Sequence, residues 1–304
     1  MINVLGEALV DIIVDPRGEV TSVVGGAPLN TARTVARLGQ PASFLGGVST
    51  DAFGRRIQAL LDADGVVLGL GAGVPEPTTL AIAQLDESGA ATYRFLMDGT
   101  SSAAVTPELA LAHADPTARA LHVGTLGLVL QPLADASVAL VAAAPDEQLV
   151  MIDPNCRPSV MTGSRVFADA LAAVLPRADL VKVSGDDLEF LYPGVEPHAA
   201  AVALSDSSKA VVLFTDGARA VHVLAAGTDI VVDVPVVPVV DTVGAGDSFS
   251  GGVLAWWLRS GRSRADVADL DAVVEAVTFG VQVAGRTCQR AGANPPYAHE
   301  VGWG

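Results

Sequence analysis

Lysine is nearly absent from this chain. Lys182 and Lys209 are its only two, and 18 basic residues in all face 34 acidic ones, for a formal charge of -16. Such an acidic surface makes nucleic acid and anionic membranes poor partners. No dense basic cluster occurs either, which favours a neutral ligand over one that carries its own phosphate. Cysteine is scarce: Cys156 and Cys288 have neither metal-ligand spacing nor the number needed for a disulfide framework, which points to a reducing compartment. The five histidines are scattered, with no spacing that suggests a triad or a metal set, and His122, inside an apolar run, reads as a satisfied core residue. Every apolar run is interrupted before the ~20 residues of a membrane span. The first residues, Met-Ile-Asn-Val-Leu-Gly-Glu, lack the basic-then-apolar pattern of a secretory leader, so a cytoplasmic protein is expected. No internal repeat or low-complexity linker interrupts a chain that is half apolar.

The most informative segment is residues 241–249, Asp-Thr-Val-Gly-Ala-Gly-Asp-Ser-Phe. An apolar run, 236–240, reads as a strand leading into it, and residues 247–258 read as the helix that follows. A helix start leaves unpaired N–H groups and partial positive charge, so Gly244, Ala245 and Gly246 can cradle an anion without a lysine. Asp247, one residue further on, would repel a bound phosphate. That is a poor arrangement for binding alone but a useful one for removing a proton from an attacking hydroxyl. A bare Gly-x-Gly-Asp also fits a carboxylate that merely caps a helix. A dinucleotide fingerprint would place a third glycine where Phe249 stands, and no Gly-Lys-Ser/Thr of a P-loop occurs.

Short β-rich runs at 42–48, 120–125, 148–153, 179–183 and 210–215 alternate with helical stretches, which predicts an α/β fold with a mainly parallel sheet covered by helices. Several of these runs end in polar residues, Asp153, Ser184 and Thr215 among them, and ligands of open α/β sheets bind beyond such ends. Residues 27–38 read as a helix with Pro28 in its first turn and Gly39 as its stop. Thr50 or Asp51 is placed to cap the next helix, and Gly65 to end it. Two hairpins stand out from this alternation: 12–14 with 20–24, and 80–85 with 91–97 across a turn at 86–89. Together they suit a small sheet acting as a lid that keeps water from a phosphoryl donor.

Residues 241–249 resemble the C-terminal signature of the ribokinase-like (PfkB) sugar kinases, and the likeness runs nearly end to end. Gly25-Gly-Ala-Pro-Leu-Asn30 looks like the family's sugar-site motif, with Asp11 where the family commonly uses an acid for sugar hydroxyls. Asp153-Pro-Asn-Cys-Arg157-Pro is similar to an element of fructokinase-like members, in which Arg157 would steady the phosphoryl group or sugar oxygens. Lys182-Val-Ser184-Gly-Asp-Asp187 corresponds to an element whose acid sits near metal-bound phosphates, although Asp187 is one methylene shorter than the usual glutamate. Thr215-Asp-Gly217-Ala-Arg-Ala resembles the family's nucleotide-side turn, but it has Asp216 where leucine is expected and Ala220 where glycine is.

The resemblance therefore implies a single ribokinase-like three-layer domain over residues 1–304, with lid strands from about 11–24 and 78–100. It implies ATP and Mg2+ as cofactors, the metal held at Asp187 through water, and K+ at Asp241. The sugar would meet Asp11, Gly25, Gly26, Asn30 and Asp247. The nucleotide would meet Lys182, Ser184, Asp187, Thr215, Gly217, Gly244 and Gly246. Asp247 would act as the base, with Arg157 and the Gly244–Gly246 turn stabilising charge. The Gly-Gly-Ala-Pro start favours fructose, and ribose, 2-keto-3-deoxygluconate or a nucleoside are the alternatives. Arg94 or Arg157 turned into the sugar pocket would favour an acidic sugar. A sugar or nucleotide sensor retaining the fold is the non-enzyme alternative, and the lid strands offer a contact for a homodimer.

Overall fold

The structure, a computed structural model, describes residues 1–87 and 91–303. Of the expected turn at 86–89, Ser88 and Gly89 lie outside the described residues. The strands are β1 (Ile2–Leu5), β2 (Leu9–Val14), β3 (Val20–Gly25), β4 (Ala42–Phe44), β5 (Val67–Leu68), β6 (Thr79–Leu85), β7 (Ala91–Leu96), β8 (Ala120–Gly124), β9 (Leu149–Asp153), β10 (Leu180–Ser184), β11 (Val211–Thr215), β12 (Ala220–Ala225) and β13 (Thr228–Asp233). The helices are α1 (Ala27–Arg37), α2 (Ala52–Asp64), α3 (Pro107–His113), α4 (Leu133–Ala143), α5 (Pro158–Met161), α6 (Arg165–Val174), α7 (Gly185–Leu191), α8 (Pro197–Ser208), α9 (Ala245–Arg259) and α10 (Leu270–Cys288).

Nine strands form one sheet in the order β13-β12-β11-β10-β9-β8-β1-β4-β5. From β11 to β5 every neighbouring pair is parallel; β12 and β13 add an antiparallel edge. Alternation along the strands feeds two cores. Leu149, Met151, Val211 and Leu213 point to the side covered by α1, α2, α9 and α10. Val150, Ile152, Val212 and Phe214 point to the side covered by α3, α4, α6, α7 and α8. Parallel strands buried on both faces read as continuous apolar runs, as these do.

The chain leaves β1 in one direction toward β4 and β5, then returns to β8 on the other side of β1 and continues outward. The strand order therefore reverses between β1 and β8. A crevice opens beyond the carboxyl ends of the strands at such a point, and Glu7, Thr125, Arg157, Ser184 and Thr215 all follow or close those ends.

The small sheet has the order β3-β2-β6-β7. Its two hairpins are antiparallel within themselves and meet in parallel along β2 and β6, with Asp11 opposite Ala81. Asp51 caps α2 by accepting from the Gly54 amide at 2.8 Å, and Gly65 ends that helix in the left-handed region. One expected strand is absent: residues 236–240 make no ladder, and Val236, Val239 and Val240 are exposed. Pro235 and Pro238 remove the donors that a strand would need. His122 is buried as expected but is not satisfied, because neither ring nitrogen has a hydrogen-bond partner among the described residues. Burial, with Lys182 nearby, holds its pKa down to about 3, so the ring is neutral.

Candidate active site

Beyond the strand ends lies a cleft of about 1800 Å³. Single-ligand pockets span roughly 300–1,000 Å³, so this one has room for two ligands side by side. The small sheet borders one end, the turn after β11 and the face of α10 border the other, and the start of α9 lies between them.

At the small-sheet end, Asp11 of β2 lines the cleft. A Cβ on Gly25 would fall 2.4 Å from its Oδ2, so glycine there makes room for the carboxylate. Gly26 has φ +118, and a Cβ on it would fall 2.5 Å from the Glu7 carbonyl oxygen; only glycine fits both constraints. The Ala27 amide at the start of α1 donates to Glu7 Oε1 at 3.2 Å. Burial pushes the Glu7 carboxyl up to about 8, and it pushes Asp11 up to about 6 against the pull of the Arg157 guanidinium. Glu7 Oε2 and Asn30 Oδ1 are buried without a hydrogen-bond partner among the described residues. Orphaned buried polar atoms of this kind call for a ligand or ordered water to satisfy them. Glu7 was not singled out from sequence. An acid directly after the first apolar strand was the available signal, but its neighbours are assembled only by the fold.

Asp247 stands at the junction. It does not cap α9: Gly244 is the N-cap, with φ +76 and no side-chain cap bond. The Asp247 carboxylate instead accepts from Asn30 Nδ2 at 2.9 Å, and the Thr31 hydroxyl donates to the Asp247 carbonyl at 3.3 Å. Burial raises the Asp247 pKa, while the Asn30 bond and the Lys182 and Arg157 charges oppose that rise.

Not every amide of the glycine turn is free. Val243 donates to Asp241 Oδ1 at 3.0 Å and Ala245 donates to the Thr242 carbonyl at 3.2 Å. The Gly246 and Asp247 amides open the helix, where no earlier turn supplies an acceptor. Lys182 is not on the surface. It is buried against this helix start, and a Cβ on Gly246 would lie 3.1 Å from its Nζ. Its ammonium pairs with Asp153 at 3.3 Å; burial favours the neutral amine, but the charges of Asp153, Asp187 and Asp247 outweigh it and raise the pKa. Asp241 Oδ2 accepts from the Gly292 amide at 2.7 Å, fastening the turn to the C-terminal segment.

Arg157 lines the cleft, its guanidinium steadied by Asn155 Oδ1 at 2.8 Å and the Cys156 carbonyl at 3.1 Å. Arg94 is exposed and does not line the cleft. At the far end, Thr215 donates to the Val183 carbonyl at 3.3 Å, and Gly217 has φ +59 in the following turn. The unexpected Asp216 is bound to Arg219 within that turn. Ser184 and Gly217 line the cleft, but Asp187 does not. Its carboxylate accepts from the Ser184 amide and hydroxyl, both at 2.7 Å, and from the Cys156 amide at 2.5 Å. The Ser184 bonds belong to a capping box on α7, and both carboxylate oxygens are engaged; the neighbouring Asp186 lines the cleft.

Residues 1–300 match the pattern of the pfkB family carbohydrate kinases. The chain belongs to that family. Among curated members it is 34% identical to the fructokinase of Rhizobium leguminosarum bv. trifolii over 262 residues, covering 84% of this chain and 79% of that protein. The fructokinase of Xylella fastidiosa solved with bound ATP superposes with a TM-score of 0.88 at 27% identity, covering 99% of this chain and 96% of that one. The fructokinase of Vibrio cholerae O395 solved with fructose, ADP and calcium gives a TM-score of 0.81 at 25% identity, covering 96% and 94%. The architecture of a large mainly parallel sheet flanked by helices, with a small separate sheet, is shared across these pfkB family kinases. Among the described residues no helix is long and apolar enough to cross a membrane.

Proposed function

We propose that this pfkB family kinase transfers the γ-phosphoryl group of ATP to a hydroxyl of a neutral sugar, with fructose as the preferred acceptor. One observation carries the reading: a buried carboxylate, Asp247, held from the sugar side by Asn30, sits at the start of α9 within the charge field of Lys182. A pKa raised above the ordinary carboxylate range suits a general base near neutral pH.

Sugar hydroxyls satisfy the two orphaned groups, Asn30 Oδ1 and Glu7 Oε2, and bond to Asp11. The acids of Asp11 and Asp247 act on the single guanidinium of Arg157, and Glu7, held protonated by burial, adds no positive charge, which disfavours an acidic sugar. Asp247 takes the proton of the attacking hydroxyl. The Gly246 and Asp247 amides, the α9 dipole and Lys182 stabilise charge on the transferring group, and positioning and electrostatics supply most of the rate enhancement. ATP lies toward Ser184, Thr215 and Gly217, and the small sheet covers the sugar.

The donor set fits Mg2+ only loosely. Asp187 is occupied, so the phosphates, water and the exposed Asp186 would hold the ion, consistent with its habit of retaining water. When bound it would neutralise negative charge on the donor phosphates. Asp241 has an amide on each oxygen, and the lone pairs left over leave room for K+. Cytoplasmic residence and a homodimer through exposed Val20 and Leu96 of the small sheet belong to the same proposal.

An ADP-release assay with ATP and Mg2+ over fructose, ribose, 2-keto-3-deoxygluconate and adenosine, with and without K+, tests it. Fastest turnover with fructose is expected. Preference for another acceptor would replace fructose, and sugar binding without ADP release would make the protein a sensor.

A further inference from the structure

Two of the histidines scattered in sequence, His198 and His222, come together in the fold. His198 lies in the first turn of α8, and His222 and Asp229 belong to the β12–β13 hairpin. Among the described residues they are the one group of three His, Cys, Asp or Glu side chains whose ligand atoms all lie within 4.8 Å of one another. In the ladder His222 faces Val231 and Leu224 faces Asp229, so His222 and Asp229 are diagonal neighbours on one face of the hairpin. The third group arrives from a separate element, and that element is anchored. Ser205 of α8 donates to the Leu224 carbonyl at 3.1 Å, and Glu196 caps α8 through the amides of His198 and Ala199.

The Asp229 carboxylate bridges the two rings, 2.7 Å from His198 Nε2 and 3.0 Å from His222 Nδ1. The rings meet edge to face at 4.9 Å, and His222 is stacked on Phe214, which limits its rotation. We propose that His198 Nε2, His222 Nδ1 and Asp229 form a site for a divalent transition metal of the zinc class, separate from the phosphoryl-transfer cleft. Zinc binds imidazole nitrogen and carboxylate oxygen at about 2.0–2.2 Å, which sets tetrahedral ligand atoms roughly 3.3 Å apart. The two nitrogen–oxygen separations, 2.7 and 3.0 Å, need to open by about half an ångström or less, and all three ligand atoms already lie within 4.8 Å of one another. Each imidazole presents its lone pair, its N–H moving to the other ring nitrogen, and water takes the fourth position.

Two imidazoles with one carboxylate select against the magnesium that ATP brings, since Mg2+ prefers oxygen ligands throughout. Glu196 and Asp216 lie within electrostatic reach of the histidines and add to the local attraction for a cation. The site also has a structural consequence. β12 begins directly after the turn that carries Gly217, so an ion joining α8 to the hairpin would stiffen the strand from which that end of the cleft is hung.

The test uses the full chain without an affinity tag, stripped with a chelator and desalted, and titrated with Co2+, Zn2+ and Mg2+. One Co2+ per chain with a visible ligand-field absorption, displaced by Zn2+ and untouched by Mg2+, is expected. Even outer partners of metal ligands are worth ~10–100-fold in affinity, so His198→Ala and Asp229→Asn should each weaken Co2+ binding by at least that much, while His113→Ala on the exposed end of α3 leaves it unchanged. The His198 side chain is 41% exposed, so its removal should leave the fold, and turnover with saturating ATP, intact. No Co2+ absorption and no Zn2+ heat in the unmodified chain would overturn the proposal. So would affinity undiminished in both variants.

Discussion

Asn30 Nδ2 donates to Asp247 Oδ2 at 2.9 Å across 217 residues of sequence. The bond ties α1, which carries the Gly25-Gly26 motif at its start, to α9, which carries the glycine turn. It favours the charged form of Asp247 and so partly offsets the rise that burial causes. Removing it has a predictable sign. In Asn30→Ala the Asp247 pKa rises further, so the acid limb of kcat/KM should move to higher pH. Turnover well above that limb should fall less than it does when the carboxylate itself is removed. A pH–rate profile of the variant checks this, and an unmoved acid limb would mean that another group sets it.

Asp247→Asn preserves shape and removes the base. General-base assistance is worth ~10²–10⁴-fold, so kcat should drop by that order while the sugar KM stays within a few-fold. Steady-state kinetics with the preferred sugar decide the matter, and near-normal turnover would sink the assignment.

Much of this site was legible in the chain because it follows local rules. The glycine turn, the α1 start and the α2 caps use residue types whose backbone preferences act over three or four positions. The strands of the main sheet were legible because burial on both faces leaves unbroken apolar runs. Residues 236–240 show the limit of that signal, since the same apolar texture with Pro235 and Pro238 cannot pair. The hydrogen bonds of Asp187 could not be read from the chain, because one of its partners, the Cys156 amide, lies 31 residues away and reaches it only through the fold. Glu7 and the His198, His222 and Asp229 group escaped notice for the same reason: strand order and hairpin register, not spacing, bring their neighbours to them.

Lys182 and Asp153 form a buried pair, with side chains 5% and 4% exposed. Breaking such a pair by removing one partner costs about 3–5 kcal/mol, so Lys182→Met should lower stability strongly, with the loss limited by Asp153 taking up a proton. The double variant Lys182→Met/Asp153→Asn removes both members of the close pair and should recover part of that stability, since only the more indirect support of Asp187 and Asp247 stays lost, but not turnover, because the ammonium beside Gly246 is still gone. Denaturant melts alongside ADP release separate the two effects. Full turnover in the double variant would remove Lys182 from the chemistry.

Glu7 gives the last prediction, and its sign follows from linkage. Burial raises its carboxyl from 4.5 to about 8, so between those values the folded protein holds a proton that the unfolded chain has released. The stabilisation is fully present below the unfolded value and is lost as pH rises through the folded one, with a slope of up to about 1.4 kcal/mol per pH unit in the window. Glu7→Gln keeps an oxygen for the Ala27 amide and cannot ionise, so this contribution to the slope should vanish. Ligand-free denaturant melts across the window should therefore show the variant gaining on the parent as pH rises. Parallel stability curves for the two proteins would mean that Glu7 ionises in the folded state much as it does in the unfolded chain.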